Sequence, residues 1–289
     1  MKFGIVGNYN KENINEVVFS LVSKLEQKGI EYFICDTLSR SPWPLKEFPL
    51  VNIKTVAGNS DLLLSIGGDG TMLSTAYTAH QYEKPVVGIN IGKLGFLAEV
   101  EIQNIDTFID YVLEGKYSIE ERMVLTGKSN TGCGEEFIAF NDIVVDKGNW
   151  PKMIEITIKV DGESVATYSA DGLIIATPTG STGYSLSVGG PIVSPKSDVI
   201  TLSPISPHTL TVRPLVIPNN QVVSVYVESV STKVQVNCDG QRVKELNPPV
   251  ELEIKKDPKP LKILHTPLSN YFEILRTKLL WGLDVRKNL

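Results

Sequence analysis

The sequence predicts an α/β domain built on a parallel sheet, then a β-rich, sandwich-like domain and a closing helix. Three observations carry this reading. Between residues 3 and 114 short apolar runs alternate with segments of helical period, the pattern of a parallel sheet with crossover helices. From Tyr117 to His265 short runs rich in Val, Ile and Thr recur without a helical period. A helical pattern returns only near the C-terminus, and a helix after an all-β region must cover a face elsewhere, here expected on the first domain.

Taken in order, Phe3–Gly7 reads as the opening strand. Residues 13–28 place Ile14, Val17, Val18, Leu21 and Leu25 at helical spacing, with Gly29 as the stop. Tyr32–Cys35 is a second strand, and residues 41–49 form a proline-punctuated loop. Leu62, Leu63, Leu64 and Ile66 form a buried strand that Gly67, Gly68 and Gly70 break. A helix then runs over residues 71–81 with Thr71 as its N-cap. Residues 85–90 are another strand, leading into a glycine-containing loop with Lys93. A helix at residues 104–114 buries Ile105, Phe108, Ile109 and Val112 and stops at Gly115. The first domain is therefore 1–116 and the β-rich domain 117–265. In the latter, strands are expected at residues 137–145, 153–160, 222–227, 233–236 and 250–254, and Asp161-Gly162 signals a hairpin. Thr266-Pro267 opens the last helix, within 266–289, whose apolar face is Phe272, Leu275, Leu279 and Leu280.

Composition narrows the class. The 289 residues are 21% charged and 42% hydrophobic, as in a globular protein. A net charge of −5 means that any phosphate must be met by local positive groups. No basic run with interleaved aromatics points to nucleic acid, and no apolar run approaches the roughly 20 residues that span a bilayer. Cys35, Cys133 and Cys238 are far apart and odd in number, which fits a reducing cytoplasm better than a zinc site or a disulfide framework. The N-terminus reads directly as a strand, without the pattern of a signal peptide.

Two stretches carry chemistry. In Gly67-Gly-Asp-Gly-Thr71 a strand turns through glycines into a helix N-terminus, which offers backbone N–H groups and a positive dipole end to an anion. Gly67, Gly68, Gly70 and Thr71 are thus phosphate-binding candidates. Asp69 among them is a carboxylate placed to take a proton from a hydroxyl, or else only a solvated turn residue. The spacing matches neither a P-loop nor the dinucleotide fingerprint. The second stretch is Thr177-Pro-Thr-Gly-Ser-Thr-Gly-Tyr184 and its continuation to Pro191. Its small hydroxyl residues let backbone approach a ligand, and Tyr184 offers a ring for a purine to stack on.

The glycine turn resembles the signature shared by diacylglycerol-type lipid kinases, NAD kinases and, more distantly, 6-phosphofructokinases. Further motifs single out the NAD kinases: Asn90-x-Gly-x-Leu-Gly-Phe-Leu97, Asn141-Asp142, Asp171-Gly-Leu, Thr177 to Tyr184, Gly189-Gly-Pro191, Pro207-His208 with Arg213-Pro214, and Asp239-Gly-Gln241. The resemblance runs from about residue 61 to 241. It implies transfer of the ATP γ-phosphate to the adenosine-ribose 2′-hydroxyl of NAD, giving NADP, with a divalent metal, magnesium, arriving on ATP. Asp69 would be the base. Asn141 and Asp142 would hold the ribose on the nicotinamide side, and Asp171 would approach the nicotinamide. Thr182, Tyr184 and Ser187 would surround the adenine, with Gly70, Lys152, Gly183, Ser185, Leu186 and Gln241 also meeting the dinucleotide.

Two departures stand out. Many relatives have Asn-Glu where this chain has Asn141-Asp142, and some have a basic residue where it has Ser74. The cation facing phosphate is then Lys93, Lys152 or Arg213. No carboxylate cluster makes an all-protein metal cage. His208 reads as a loop residue, His80 and His265 as structural, and Asp36 as a strand-end acid. The cysteines place the chain in the cytoplasm, and a homodimer or homotetramer is expected. The competing readings are a lipid kinase of the same fold, which needs a membrane-binding face, and a non-catalytic dinucleotide sensor, which does not need Asp69.

Overall fold

The computed structural model describes residues 1–40, 48–92, 95–130, 135–229, 233–268 and 270–280. The chain divides into two compact units, one of residues 1–121 with 261–289 and one of residues 122–260.

The first unit contains β1 (Phe3–Gly7), α1 (Ile14–Gln27), β2 (Tyr32–Cys35), β3 (Leu50–Val51), α2 (Ile53–Asn59), β4 (Leu62–Gly67) and α3 (Asp69–Gln81). It continues with β5 (Val86–Asn90), β6 (Val100–Glu101), α4 (Ile105–Leu113) and β7 (Ser118–Arg122). Among the described residues its sheet has eight strands, in the order β3-β2-β1-β4-β5, then the returning strand Leu261–His265, then β7, with β6 paired to β5. β1 pairs in parallel with both β2 and β4, so the chain's winding reverses between β1 and β4. Ligands in such sheets bind beyond the carboxyl ends of strands at that reversal, and the glycine turn leaves the carboxyl end of β4. Val17, Val18, Leu21 and Leu25 of α1 and Ile105, Phe108, Ile109 and Val112 of α4 are buried with Ile5, Leu64 and Ile89 of the sheet in one core.

The second unit holds β8 (Leu125–Ser129), β9 (Glu136–Ala139), β10 (Asp142–Asp146), β11 (Ile154–Val160), β12 (Glu163–Ala170) and β13 (Gly172–Ala176). After a hydroxyl-rich loop with the short helix α5 (Tyr184–Ser187) come β14 (Val199–Ile205), β15 (Leu215–Pro218), β16 (Val223–Glu228), β17 (Val234–Cys238), β18 (Arg242–Leu246) and β19 (Val250–Lys256). They form two antiparallel six-stranded sheets, β15-β14-β13-β10-β17-β18 and β12-β11-β16-β19-β8-β9. Inward residues of both, such as Val145 and Leu173 from one and Ile156 and Val225 from the other, make one sandwich core. Asp161 and Gly162 both take positive φ (49° and 84°) and close the β11–β12 hairpin, as the Asp-Gly pair predicts.

Several expectations need correction. Strand β7 and the strand β20 (Leu261–His265), expected in the β-rich domain, belong to the first sheet, where β20 pairs in parallel with β5. A strand's composition reports burial and pleat, not the sheet it joins. The helix α2 escaped notice because seven residues are too few to show a period. The last helix, α6 (Tyr271–Leu279), starts after Thr266-Pro267, at the Asn270 cap that accepts from Phe272 N (3.1 Å) and Glu273 N (3.3 Å). Its buried residues are Ile274 and Leu275, while Phe272 and Leu280 are exposed, so the apolar face is rotated from the expected one. The helix nevertheless belongs to the first unit.

Candidate active site

The glycine turn shows how the first site is made. Gly67 closes β4, Gly68 takes an extended conformation at the N-cap (φ −125°, ψ −169°), and α3 begins at Asp69. Thr71 is therefore inside the first turn rather than the cap, because the glycines let the chain enter the helix two residues earlier. Gly68 and Asp69 are half-buried and Gly70 is exposed, so the helix start is open to an anion. Asp69 Oδ2 accepts from Phe96 N (2.9 Å), and Oδ1 accepts from Leu97 N (2.9 Å) and Ala98 N (3.1 Å). Glycine is needed at position 95, where a β-carbon would lie 2.0 Å from Asp69 Oδ1. An ionised carboxylate offers about four acceptor positions. The three N–H groups fix this one in place and leave a position for an alcohol.

In the second unit the connection between β9 and β10 is gripped on both sides. Thr177 N donates to Asn141 O (2.8 Å) and Thr177 Oγ1 to Phe140 O (2.7 Å), while Gly180 N donates to Thr177 Oγ1 (3.0 Å). A β-carbon at Gly180 would lie 2.1 Å from Asn141 O, so only glycine allows the hydroxyl-rich loop to close on Asn141. From the other side Asp239 Oδ1 accepts from Phe140 N (2.9 Å) and Asn141 N (2.7 Å). A methyl group at Gly183 would stand 3.7 Å from Asn141 Nδ2 and 3.9 Å from Asp142 Oδ2, which brings the loop and the Asn141-Asp142 pair together. The buried Oδ1 of Asn141 meets no hydrogen-bond donor among the described residues.

The loop's side chains divide by exposure. Ser185 is buried and its Oγ pairs with Ser203 Oγ (3.0 Å), whereas Tyr184 is 46% exposed and Ser187 is exposed. Thr182 Oγ1 donates to Thr179 O (3.3 Å), and Leu186 and Gly183 are partly covered. Gln241 shares the β17–β18 turn with Asp239.

Asp171 is not brought to this group. It lies at the opposite end of β13, on the order of 15 Å along the strand, ion-paired with Lys147 Nζ at 2.6 Å. Among the basic candidates, Lys152 is exposed before β11, Arg213 Nη1 donates to the carbonyls of Leu210 and Val212, and Lys93 lies outside the described residues. Ser74 is exposed on α3. Cys35 and Cys238 are buried and free, while Cys133 also lies outside the described residues.

Electrostatics set Asp142 apart. Burial, and then the charge of Asp239, push its carboxyl up to about 7. Burial raises Asp239 as well, but the N–H groups of Asn141 and Phe140 and the Arg242 guanidinium (Nη2 to Oδ2, 2.7 Å) oppose it. Asp239 thus has partners that oppose its burial, whereas on Asp142 burial and the neighbouring charge act in the same direction.

Sequence reasoning missed three contributors: the amides of residues 96–98 that hold Asp69, the Asp239–Arg242 pair, and buried Arg122, whose Nη1 reaches Thr179 Oγ1 (3.3 Å). Backbone amides carry no side-chain signature, and Arg122 is a single cation in a strand. The Asp239-Gly-Gln241 motif was the only available pointer to the second.

Fold and sites together define a two-domain kinase built on a glycine turn. Residues 3–117 match the ATP-NAD kinase N-terminal domain and residues 140–266 the ATP-NAD kinase C-terminal domain. The chain belongs to the NAD kinase family. It is 42% identical over 291 residues to the NAD kinase of Chlorobium luteolum, covering 100% of each chain. With that of Chlorobium chlorochromatii it shares 42% over 283 residues, or 98% of this chain and 97% of the relative. Its fold matches a crystal structure of yeast NADH kinase complexed with NADH (TM-score 0.87, 24% identity, 99% of this chain and 89% of that one). A crystal structure of an NAD kinase from Archaeoglobus fulgidus in complex with ATP matches at TM-score 0.77 and 25% identity, over 97% of this chain and 99% of that one.

Proposed function

We propose that this chain transfers the γ-phosphate of ATP to the adenosine-ribose 2′-hydroxyl of NAD, giving NADP and ADP. The observation that carries the reading is Asp69, a carboxylate held by three amides at a helix N-terminus with an acceptor position left for an alcohol. The hydroxyl oxygen forms the new bond to phosphorus, its proton passes to Asp69, and the bond from phosphorus to the β–γ bridging oxygen breaks. The amides of residues 96–98 hold the base in one orientation, and the start of α3, from Gly68 to Thr71, faces phosphate. Exposed Tyr184 stacks on the adenine with Thr182 and Ser187 around it, while Asn141 and Asp142 bind the far ribose. Asn141 Oδ1, without a donor among the described residues, suits a ribose hydroxyl.

Among the described residues no cluster of three or more His, Cys, Asp or Glu could hold a metal ion. The donor set suits a divalent ion carried by the nucleotide's phosphates, magnesium being the ordinary choice. When bound, that ion neutralises charge on the γ-phosphate. The reading carries with it a cytoplasmic homodimer or homotetramer, which light scattering of the pure protein would test. The lipid-kinase and sensor readings are not favoured, since both matched families are ATP-NAD kinase domains.

The test uses the pure protein with ATP, magnesium and either NAD or its 2′-deoxyadenosine analogue, followed by mass spectrometry. NAD should gain one phosphate and the analogue none, although the analogue should still bind. A phosphorylated analogue would name the wrong hydroxyl, and a phosphorylated diacylglycerol would revive the lipid-kinase reading.

A further inference from the structure

The turn between β17 and β18 reaches back to the start of β10 through more contacts than a hairpin needs. Asp239 sits at positive φ (57°) and is buried. Its N–H donates to Asp142 O (3.0 Å), while its Oδ1 accepts from Phe140 N and Asn141 N and, at 3.4 Å, from Asp142 N. Its other oxygen takes Arg242 Nη2 at 2.7 Å, and the same nitrogen donates to Ile138 O (2.8 Å). One carboxylate thus organises the backbone on either side of the Asn141 and Asp142 side chains.

We propose that Asp239 is a positioning residue for dinucleotide binding, a buried bracket braced by Arg242 that fixes Asn141 and Asp142 in the geometry with which they meet NAD. The inference rests on the reading of Asn141 and Asp142 as NAD-binding residues. A bracket made of a charge, rather than of a neutral amide, has a second effect on the residue it holds. Among the described residues the charge acting on Asp142 is that of Asp239, which Arg242 pairs with, and the neighbouring Cys238 thiol is pushed up to about 12 by burial, so it stays neutral. From the hydroxyl-rich loop on the other side, Gly183, which has no titratable side chain, stands beside Asp142 Oδ2. Asp239 therefore orients the pair and also raises the pH at which Asp142 gives up its proton.

Two variants separate this from a purely structural role. Asp239→Ala removes the acceptor and should raise the NAD KM by roughly tenfold or more, with kcat and the ATP KM changed by less than about threefold. Asp239→Asn keeps an acceptor oxygen and removes the charge. It should hold the NAD KM within about threefold of wild type at alkaline pH, while the inflection in the pH profile of the NAD KM moves to lower pH. If Asp239→Ala does not fold, the asparagine variant and its pH profile decide alone. Variants that lose thermal stability but keep the wild-type NAD KM and its pH inflection would overturn the bracket. A wild type that makes no NADP would count against the kinase reading instead, so the two failures are distinct.

Discussion

Asp69 and Asp142 are both aspartates beside strand ends, and their surroundings are opposite in kind. Asp69 is half-buried at a helix start with three amide N–H groups pointing at its oxygens. Asp142 is 4% exposed, and the charge acting on it is that of another acid, Asp239. The first is a fixed acceptor. The second keeps a proton up to about pH 7 and so can donate a hydrogen bond where an ordinary aspartate only accepts. A sequence motif identifies the residue type, while the groups packed around it decide which way the proton moves.

The largest effect should come from the acceptor. Asp69→Asn should lower kcat by roughly 10²–10⁴-fold while changing the NAD KM far less. Steady-state kinetics giving a near-normal kcat would remove Asp69 from the role of base and break the comparison at its first term.

Asp142 should show itself in stability rather than rate. Its folded pKa of about 7 exceeds the roughly 3.9 of an unfolded aspartate, so the folded state binds the extra proton. Its contribution is most favourable below about pH 4 and is lost as pH rises to about 7. Asp142→Asn, which stays neutral, should therefore gain on wild type across that window, by roughly 2–4 kcal/mol. Urea unfolding between about pH 4 and pH 8 measures it; parallel curves for the two proteins would mean that Asp142 is not held protonated.

A smaller effect is expected at Tyr184 if it stacks on the adenine as proposed. Tyr184→Ala should weaken NAD binding by about 1–3 kcal/mol, and Tyr184→Phe by much less, because the face of the ring does the stacking. Calorimetric titration with unchanged affinity in the alanine variant would remove Tyr184 from the proposed NAD site.

The legible parts of this chain were those with local causes. Hydrophobic runs gave β1, β2, β4 and β5 of the first unit and β11, β16, β17 and β19 of the second, while the single strand expected at residues 137–145 is two, β9 and β10, broken at Asn141. Asp161-Gly162 gave its hairpin, and the glycines around Asp69 marked the first site. What stayed hidden was long-range. The donors to Asp69 lie 27 to 29 residues away, and Asp239 reaches Phe140 across 99. Nothing in a short window distinguishes β20, which joins the parallel sheet, from the antiparallel strands before it. The entry to α6 was misplaced for a different reason: Thr266-Pro267 is a credible start, but Asn270 makes the capping bonds.

The sheet order of the first unit bears on synthesis. β20 lies between β5 and β7, yet residues 123–260 separate it from β7 in the chain. At about 5–20 residues per second, a ribosome takes roughly 7–30 s to make that stretch, and throughout it the parallel sheet lacks an internal strand. The sandwich lies within residues 122–260, all of them made before β20, so the order of maturation should be the reverse of the order of translation. Nascent chains stalled after residue 260 has left the exit tunnel should resist protease across 122–260 while residues 1–121 are still cut. Equal protection of both segments would show that the sheet closes without its late strand.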